Sequence, residues 1–180
     1  MRYRSRLAVM AGVALLPVTA VAAYAAGNGR AVAPAVAAPV VAPAAAAAPA
    51  VTRDVLAQVV DPAGATGRTL ALSKVVIPAH TALALHRHPG NQIAYIERGT
   101  LTYTVRTGVV KVYRGPADDH PKVVRAVRAG QTGKVRTGEW VVERPGDVHF
   151  GANDGAGKVV ILLATLFTDG SPASIPVAGR

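Results

Sequence analysis

The sequence contains no cysteine. That absence rules out disulfides, thiolate metal sites and a lipid-modified cysteine at a signal junction, so any metal must be held by nitrogen and oxygen. A long amphipathic helical pattern is also missing, which leaves strands as the material for a core. Aromatic residues are scarce at 4% of the chain. In the most basic stretch only Tyr103 and Tyr113 could stack on bases, which argues against a specific nucleic-acid partner.

Of 180 residues, enough for about one domain, 51% are hydrophobic, but much of that figure is alanine in the first fifty positions, which offers little side chain to pack. Arg2, Arg4 and Arg6 precede an uncharged, largely apolar stretch from Leu7 to Gly29, and Ala23-Tyr24-Ala25 supplies small residues for cleavage. Residues 1–26 therefore read as a signal peptide of a secreted or extracytoplasmic protein. The alternative is an uncleaved membrane segment, which Gly12, Pro17, Asn28 and the alanine content make a weak span. Residues 27–51 are almost wholly Ala, Val and Pro, with Pro34, Pro39, Pro43 and Pro49 breaking any helix or ladder. This is a semi-extended linker, a spacer rather than a chemical element.

The formal charge is +10, and loss of three arginines with the signal leaves +7. Nine basic residues fall between Arg98 and Arg136, against only Asp118 and Asp119. They read as a solvated basic face, with attraction of an acidic substrate or surface polymer as the functional alternative.

Residues 52–168 carry short β-type runs broken by Gly, Pro and Asp, the pattern of an all-β sandwich or barrel, with 169–180 as a C-terminal tail. Strands are expected near Thr69–Ile77, Ala82–His86, Ile93–Glu97, Leu101–Arg106, Val109–Tyr113, Val123–Val127, Glu139–Glu143 and Lys158–Phe167. Leu101 to Val105 alternates apolar residues with threonine, as a strand with one wet face does. Val159 to Phe167 is nearly continuous and reads as buried on both sides.

Two segments carry histidine. In His86-Arg87-His88-Pro89-Gly90-Asn91-Gln92, positions i and i+2 of an extended strand point the same way, so His86 and His88 face one interior point. Gln92 resumes that direction after the Pro89-Gly90 turn. In Arg144-Pro145-Gly146-Asp147-Val148-His149, a Pro-Gly turn delivers His149 to the start of another strand. Together they form a candidate three-nitrogen metal cap. His80 and His120 match no ligand position and read as surface residues. Glu97 would point outward if Gln92 points inward.

At these residues the chain resembles the cupin superfamily. The family's first motif is met by His86, His88 and Gly99, with Gln92 where the motif has Glu and His80 where it has its first Gly. The second is met by Gly138, Gly146, His149 and Asn153, with Arg144 at the proline position and Pro145 one residue late. The resemblance implies an antiparallel double-stranded β-helix, or jelly-roll, barrel and one divalent metal ion (Zn, Fe, Mn, Ni or Cu). Some barrels of this kind keep the geometry without a metal.

With Gln92 as a neutral fourth ligand the full +2 would stay on the ion, favouring anionic ligands and acidifying bound water. Family members with three-histidine sites act as dioxygenases, cyclases and isomerases on small anionic or enolisable molecules, and barrels of this kind pair as homodimers. Tyr103, Trp140 and Phe150 are candidates to line the cavity, or core and rim packing. The stretch from Gly99 to Gly138 is expected as an insert forming a hairpin lid or an oligomer contact. Two function classes stay open: a metal-dependent enzyme on a small anionic molecule, and a non-catalytic small-molecule-binding or scaffold domain.

Overall fold

The computed structural model describes residues 50–116, 118 and 120–179; the expected signal peptide and nearly all of the expected linker lie outside them. The described residues form only strands: β1 (Thr52–Val60), β2 (Arg68–Ile77), β3 (Thr81–Ala82), β4 (His86–Arg87), β5 (Gly90–Arg98), β6 (Thr100–Thr107), β7 (Val109–Arg114), β8 (Lys122–Arg128), β9 (Thr132–Arg136), β10 (Glu139–Glu143), β11 (Val148–Asn153), β12 (Val159–Thr168) and β13 (Ile175–Pro176). One sheet has the order β1-β2-β12-β5-β10-β7-β8; the other has β13-β4-β11-β6-β9, with β3 also on β11. All pairs are antiparallel. At the centre β2-β12-β5-β10 faces β4-β11-β6-β9, so successive strands cross between sheets as in a jelly roll.

Period-2 alternation turns alternate side chains of both sheets into one core. Ile77, Val105, Val110, Val112 and Val135 are fully buried there, with Ala94, Ile96, Leu101, Val141, Ile161 and Leu163 around them. Asn153 closes one end: its Nδ2 donates to the carbonyls of Ile77 (3.0 Å), Pro78 (2.8 Å) and Gly157 (2.7 Å), and its Oδ1 accepts from the Gly155 N–H (3.1 Å). The motif asparagine is thus a fully satisfied strand tie.

Several sequence expectations are corrected. Ala82–His86 is not one strand; Leu83 to Leu85 separate β3 from β4. Val159–Phe167 is buried on both faces only at its start, where Val159, Val160 and Ile161 are all covered; beyond Ile161 the uncovered outer face of the seven-stranded sheet leaves Ala164 exposed and Leu162 and Leu166 half-buried. The stretch 99–138 is no separate lid: it supplies β6 and β9 to one sheet and the β7–β8 hairpin to the edge of the other. The expected tail contributes β13, whose Ile175 and Pro176 pair with Arg87 and His86.

Candidate metal centre

His86 lies on β4 directly opposite His149 on β11. His88 follows at the end of the same segment, and the chain then enters β5 at Gly90, where a Cβ would overlap the Leu166 carbonyl of β12. Only glycine lets the backbone approach that closely, and the approach fixes the direction in which His88 and Gln92 leave the turn. The three imidazoles converge as i, i+2 alternation predicts: ring centroids are 4.9 Å (His86–His88), 4.6 Å (His86–His149) and 5.2 Å (His88–His149) apart. One ligand nitrogen of each lies within 4.8 Å of the others. His80, His120 and Glu97 are exposed and play no part.

Gln92 reaches the cluster, but its neighbour is Glu143, which sequence reasoning missed. The two are cross-strand partners on β5 and β10. The Glu143 side chain is only 3% exposed. Its Oε2 accepts from Gln92 Nε2 (2.5 Å) and lies 3.3 Å from His88 Nε2; its Oε1 accepts from the Tyr103 hydroxyl (2.8 Å) and lies 3.2 Å from His149 Nε2. A carboxylate oxygen has no proton to give, so the amide must turn its NH2 towards Glu143, which leaves Gln92 Oε1 buried without a partner. The expectation that three imidazoles and a glutamine would leave an ion uncompensated therefore fails. A carboxylate is present, displaced by one strand from the motif position.

The site's protonation follows from its surroundings. Burial pushes His86 below its ordinary value, partly opposed by the Ala84 carbonyl, and pushes His149 down to about 4, partly opposed by Glu143. Both rings are neutral at pH 7, the form that binds metals. Burial alone would raise the Glu143 carboxyl, but the His149 and His88 rings and the Tyr103 hydroxyl outweigh it and hold the group well below the carboxylate range. The Tyr103 hydroxyl and the Gln92 NH2 donate to the ionised carboxylate directly. Tyr103, raised well above its ordinary value by burial and by Glu143, stays a hydroxyl donor.

These residues fit a cation. His88 Nδ1 lies 2.9 Å from the Ala173 carbonyl and His86 Nδ1 lies 2.7 Å from the Ala84 carbonyl, acceptors that place a proton on each Nδ1 and aim each Nε2 into the cluster. His88 Nε2 then faces both the Gln92 NH2 and a Glu143 carboxylate oxygen, each at 3.3 Å, a place that the amide proton fills and that a cation could take. Ligands about 2.1 Å from a tetrahedral ion are about 3.4 Å apart, close to the 3.2 and 3.3 Å found between Glu143 and the two rings. His149 Nδ1 is buried and unpartnered.

The cluster lines a cavity of about 270 Å³ with largely aliphatic walls. Tyr103 belongs to it. Trp140 instead stacks on Tyr113 on the outer face of the larger sheet (4.4 Å between centroids), and Phe150 is not among the lining residues. The basic stretch is partly structural: Arg114 and Arg125 clamp the buried Glu139, and Lys134 bonds Thr102 and Asp154.

Strand order and histidine placement together define a jelly-roll barrel with a three-histidine cluster, in line with the fold that the resemblance to cupins implies. No family model matches the sequence, and no curated protein does. Solved structures similar to it include a cupin superfamily protein from Desulfitobacterium hafniense (15% identity, 66% of this chain and 78% of that one, TM-score 0.44). Others are a cupin 2 domain-containing protein from Halorhodospira halophila (16%, 71% and 71%, 0.45) and a cupin-like protein from Thermotoga maritima (19%, 71% and 75%, 0.44). These are likenesses of fold alone.

Proposed function

We propose that this chain is an exported cupin-type protein that holds one divalent metal ion on His86, His88 and His149 with Glu143 as oxygen donor, and that it acts on a small anionic or enolisable molecule. The observation that carries this reading is the convergence of one ligand nitrogen from each of His86, His88 and His149 within 4.8 Å of one another, with the buried Glu143 carboxylate 3.3 and 3.2 Å from the His88 and His149 rings. Gln92 then orients Glu143 through its NH2 instead of serving as a ligand. A three-nitrogen, one-carboxylate set suits Zn, Fe, Mn, Ni or Cu. Bound there, such an ion would polarise a substrate oxygen or acidify a water, with a residual charge of +1 that still favours anions.

The test is elemental analysis of the mature protein recovered from the extracytoplasmic fraction. One equivalent of a divalent metal is expected, on a chain beginning at Ala26 or Gly27. Protein that takes up no metal from any of the five ions would sink the metal reading; an intact N-terminus on a membrane-bound chain would sink cleavage. A non-catalytic binding domain is the second reading. It is favoured by the low pKa of Glu143, which the neighbouring rings and the Tyr103 hydroxyl hold well below the carboxylate range and so leave a weak base. Exchangeable water on the bound ion would favour turnover, and its absence would favour binding.

Pairing of two copies is supported by the outer face of the larger sheet. Leu70 (45%), Leu72 (42%), Ile93 (44%) and Tyr95 (41%) are exposed there. Ala164 lies between Leu72 and Ile93 in register. Contiguous apolar surface of this kind marks interfaces. Sedimentation should show a dimer that L72K/I93K converts to monomer, whereas a monomeric wild-type protein at about 100 μM, a concentration at which interfaces of even micromolar affinity are filled, would discard the idea.

A further inference from the structure

Among the described residues, Arg53 is the one arginine or lysine that lines the histidine cavity. It stands on β1, an edge strand whose other residues are all exposed, yet its own side chain is half-buried and lines the same cavity as the three histidines. A guanidinium carries five N–H donors. Here one of them, on Nη2, reaches the Oγ of the fully buried Ser73 at 3.3 Å. No carboxylate among the described residues pairs with it. The buried acids are engaged elsewhere: Glu139 by Arg114 and Arg125, Glu143 by the cluster, and Asp147 by the Arg144 N–H. Burial accordingly depresses the Arg53 pKa, as expected of a cation withdrawn from water without a counter-charge.

A half-desolvated, uncompensated charge costs stability, which a bound anion would offset. The cavity lining includes the apolar Val75, Leu83, Ala94, Leu101, Ile161 and Leu163. One cavity thus holds a guanidinium, the histidine cluster and a largely aliphatic wall. At about 270 Å³ it falls below the usual range for drug-sized ligands.

We infer that Arg53 is the carboxylate anchor of this cavity, holding a short-chain organic acid whose aliphatic body lies along these walls and whose other end faces the histidines. The guanidinium fork matches a carboxylate bidentately, a geometry that a lysine ammonium lacks. This deepens the function proposed above and rests on it only for the nature of the histidine end.

The probes are isovalerate and its neutral isostere isovaleramide, titrated calorimetrically into the metal-loaded protein and into R53M and R53K. Wild-type protein should bind isovalerate at least tenfold more tightly than isovaleramide. R53M should lose at least tenfold for isovalerate with little change for the amide, and R53K should fall between. Metal content and melting temperature are measured on the same samples; should R53M fail to fold, R53Q takes its place. Equal isovalerate binding by R53M and wild type would place the carboxylate at the histidine end and overturn the assignment, as would a wild-type protein that does not distinguish acid from amide. Protein that loads no metal overturns the metal reading alone, because the comparison of R53M with wild type then decides the anchor on metal-free protein.

Discussion

Replacing Glu143 with glutamine is expected to weaken metal binding by about 100-fold, and moving the carboxylate back across the strand pair is expected to restore most of it. Glu143→Gln keeps the side-chain volume and an acceptor for Tyr103, but it removes the negative charge and sets one amide NH2 against that of Gln92. Loss of even an orienting partner of a metal ligand costs 10–100-fold in affinity, and a directly bound carboxylate belongs at or beyond the upper end. His149→Ala, which removes a nitrogen donor, sets the scale for complete loss. In the double variant Gln92→Glu/Glu143→Gln, the acid stands on β5 and the amide opposite it on β10, so the pair Glu143–Gln92 is inverted with its register intact. Affinity within about tenfold of wild type would fit a shared position for the oxygen donor. Metal titrations of the single and double variants decide it: a Glu143→Gln protein with undiminished affinity would show that the carboxylate is a bystander.

The second large effect concerns stability. Glu139 is 0% exposed, and its oxygens accept from Arg114 Nη2 (2.5 Å), Arg125 Nη2 (2.5 Å) and the Arg136 N–H (2.9 Å). These contacts fasten β10 to the β7–β8 hairpin and to the end of β9. Removing the partners of a buried charge costs about 3–5 kcal/mol. The R114A/R125A variant should lie near the low end, about 3 kcal/mol, because the Arg136 N–H remains and Arg114 is itself largely exposed. For a barrel of this size that is a fall in Tm of roughly 10–20 °C. Adding E139Q should return part of the loss, since no buried charge is then left unpaired. The pH dependence has a definite sign. Burial would raise the Glu139 carboxyl, but the Arg136 N–H and the two arginines lower it below its ordinary value. Its stabilisation is therefore present above the unfolded pKa of about 4.3 and lost as pH falls through the folded value. E139Q should flatten this acid limb of the melting curve. An R114A/R125A protein that melts with wild type would show that the clamp adds nothing.

The fold was legible where periodicity was strong and illegible where a strand lay at an edge. β2, β5, β6, β7, β8, β10 and β12 follow from apolar alternation or β-branched runs, because those strands have a buried face to encode. β1 is an edge strand with eight of its nine residues exposed, so its sequence carries no burial pattern. β9, Thr-Gly-Lys-Val-Arg, buries only Val135. The triad was legible because i, i+2 spacing fixes side-chain direction within one strand. Glu143 was not, because its place beside Gln92 depends on the register of two strands fifty residues apart. The local pattern also misled. In Glu139-Trp140-Val141-Val142-Glu143 the apolar Trp140 and Val142 suggest an inward face, yet both glutamates are buried and Trp140 is half-exposed. Two acids flanking Val141 on one face, one before a Pro-Gly turn, were the available signal. Reading it required partners for both: arginines on the hairpin for one, histidines for the other.

His88 is oriented by the carbonyl of Ala173, and His86 pairs with Pro176 near the end of the 180-residue chain. Residues 53 and 173 both border the cavity. The aim of His88 is therefore set by a segment about 85 residues further along the chain. Loss of the Ala173 carbonyl or of the β13 pairing should loosen the cluster without altering any of its three histidines.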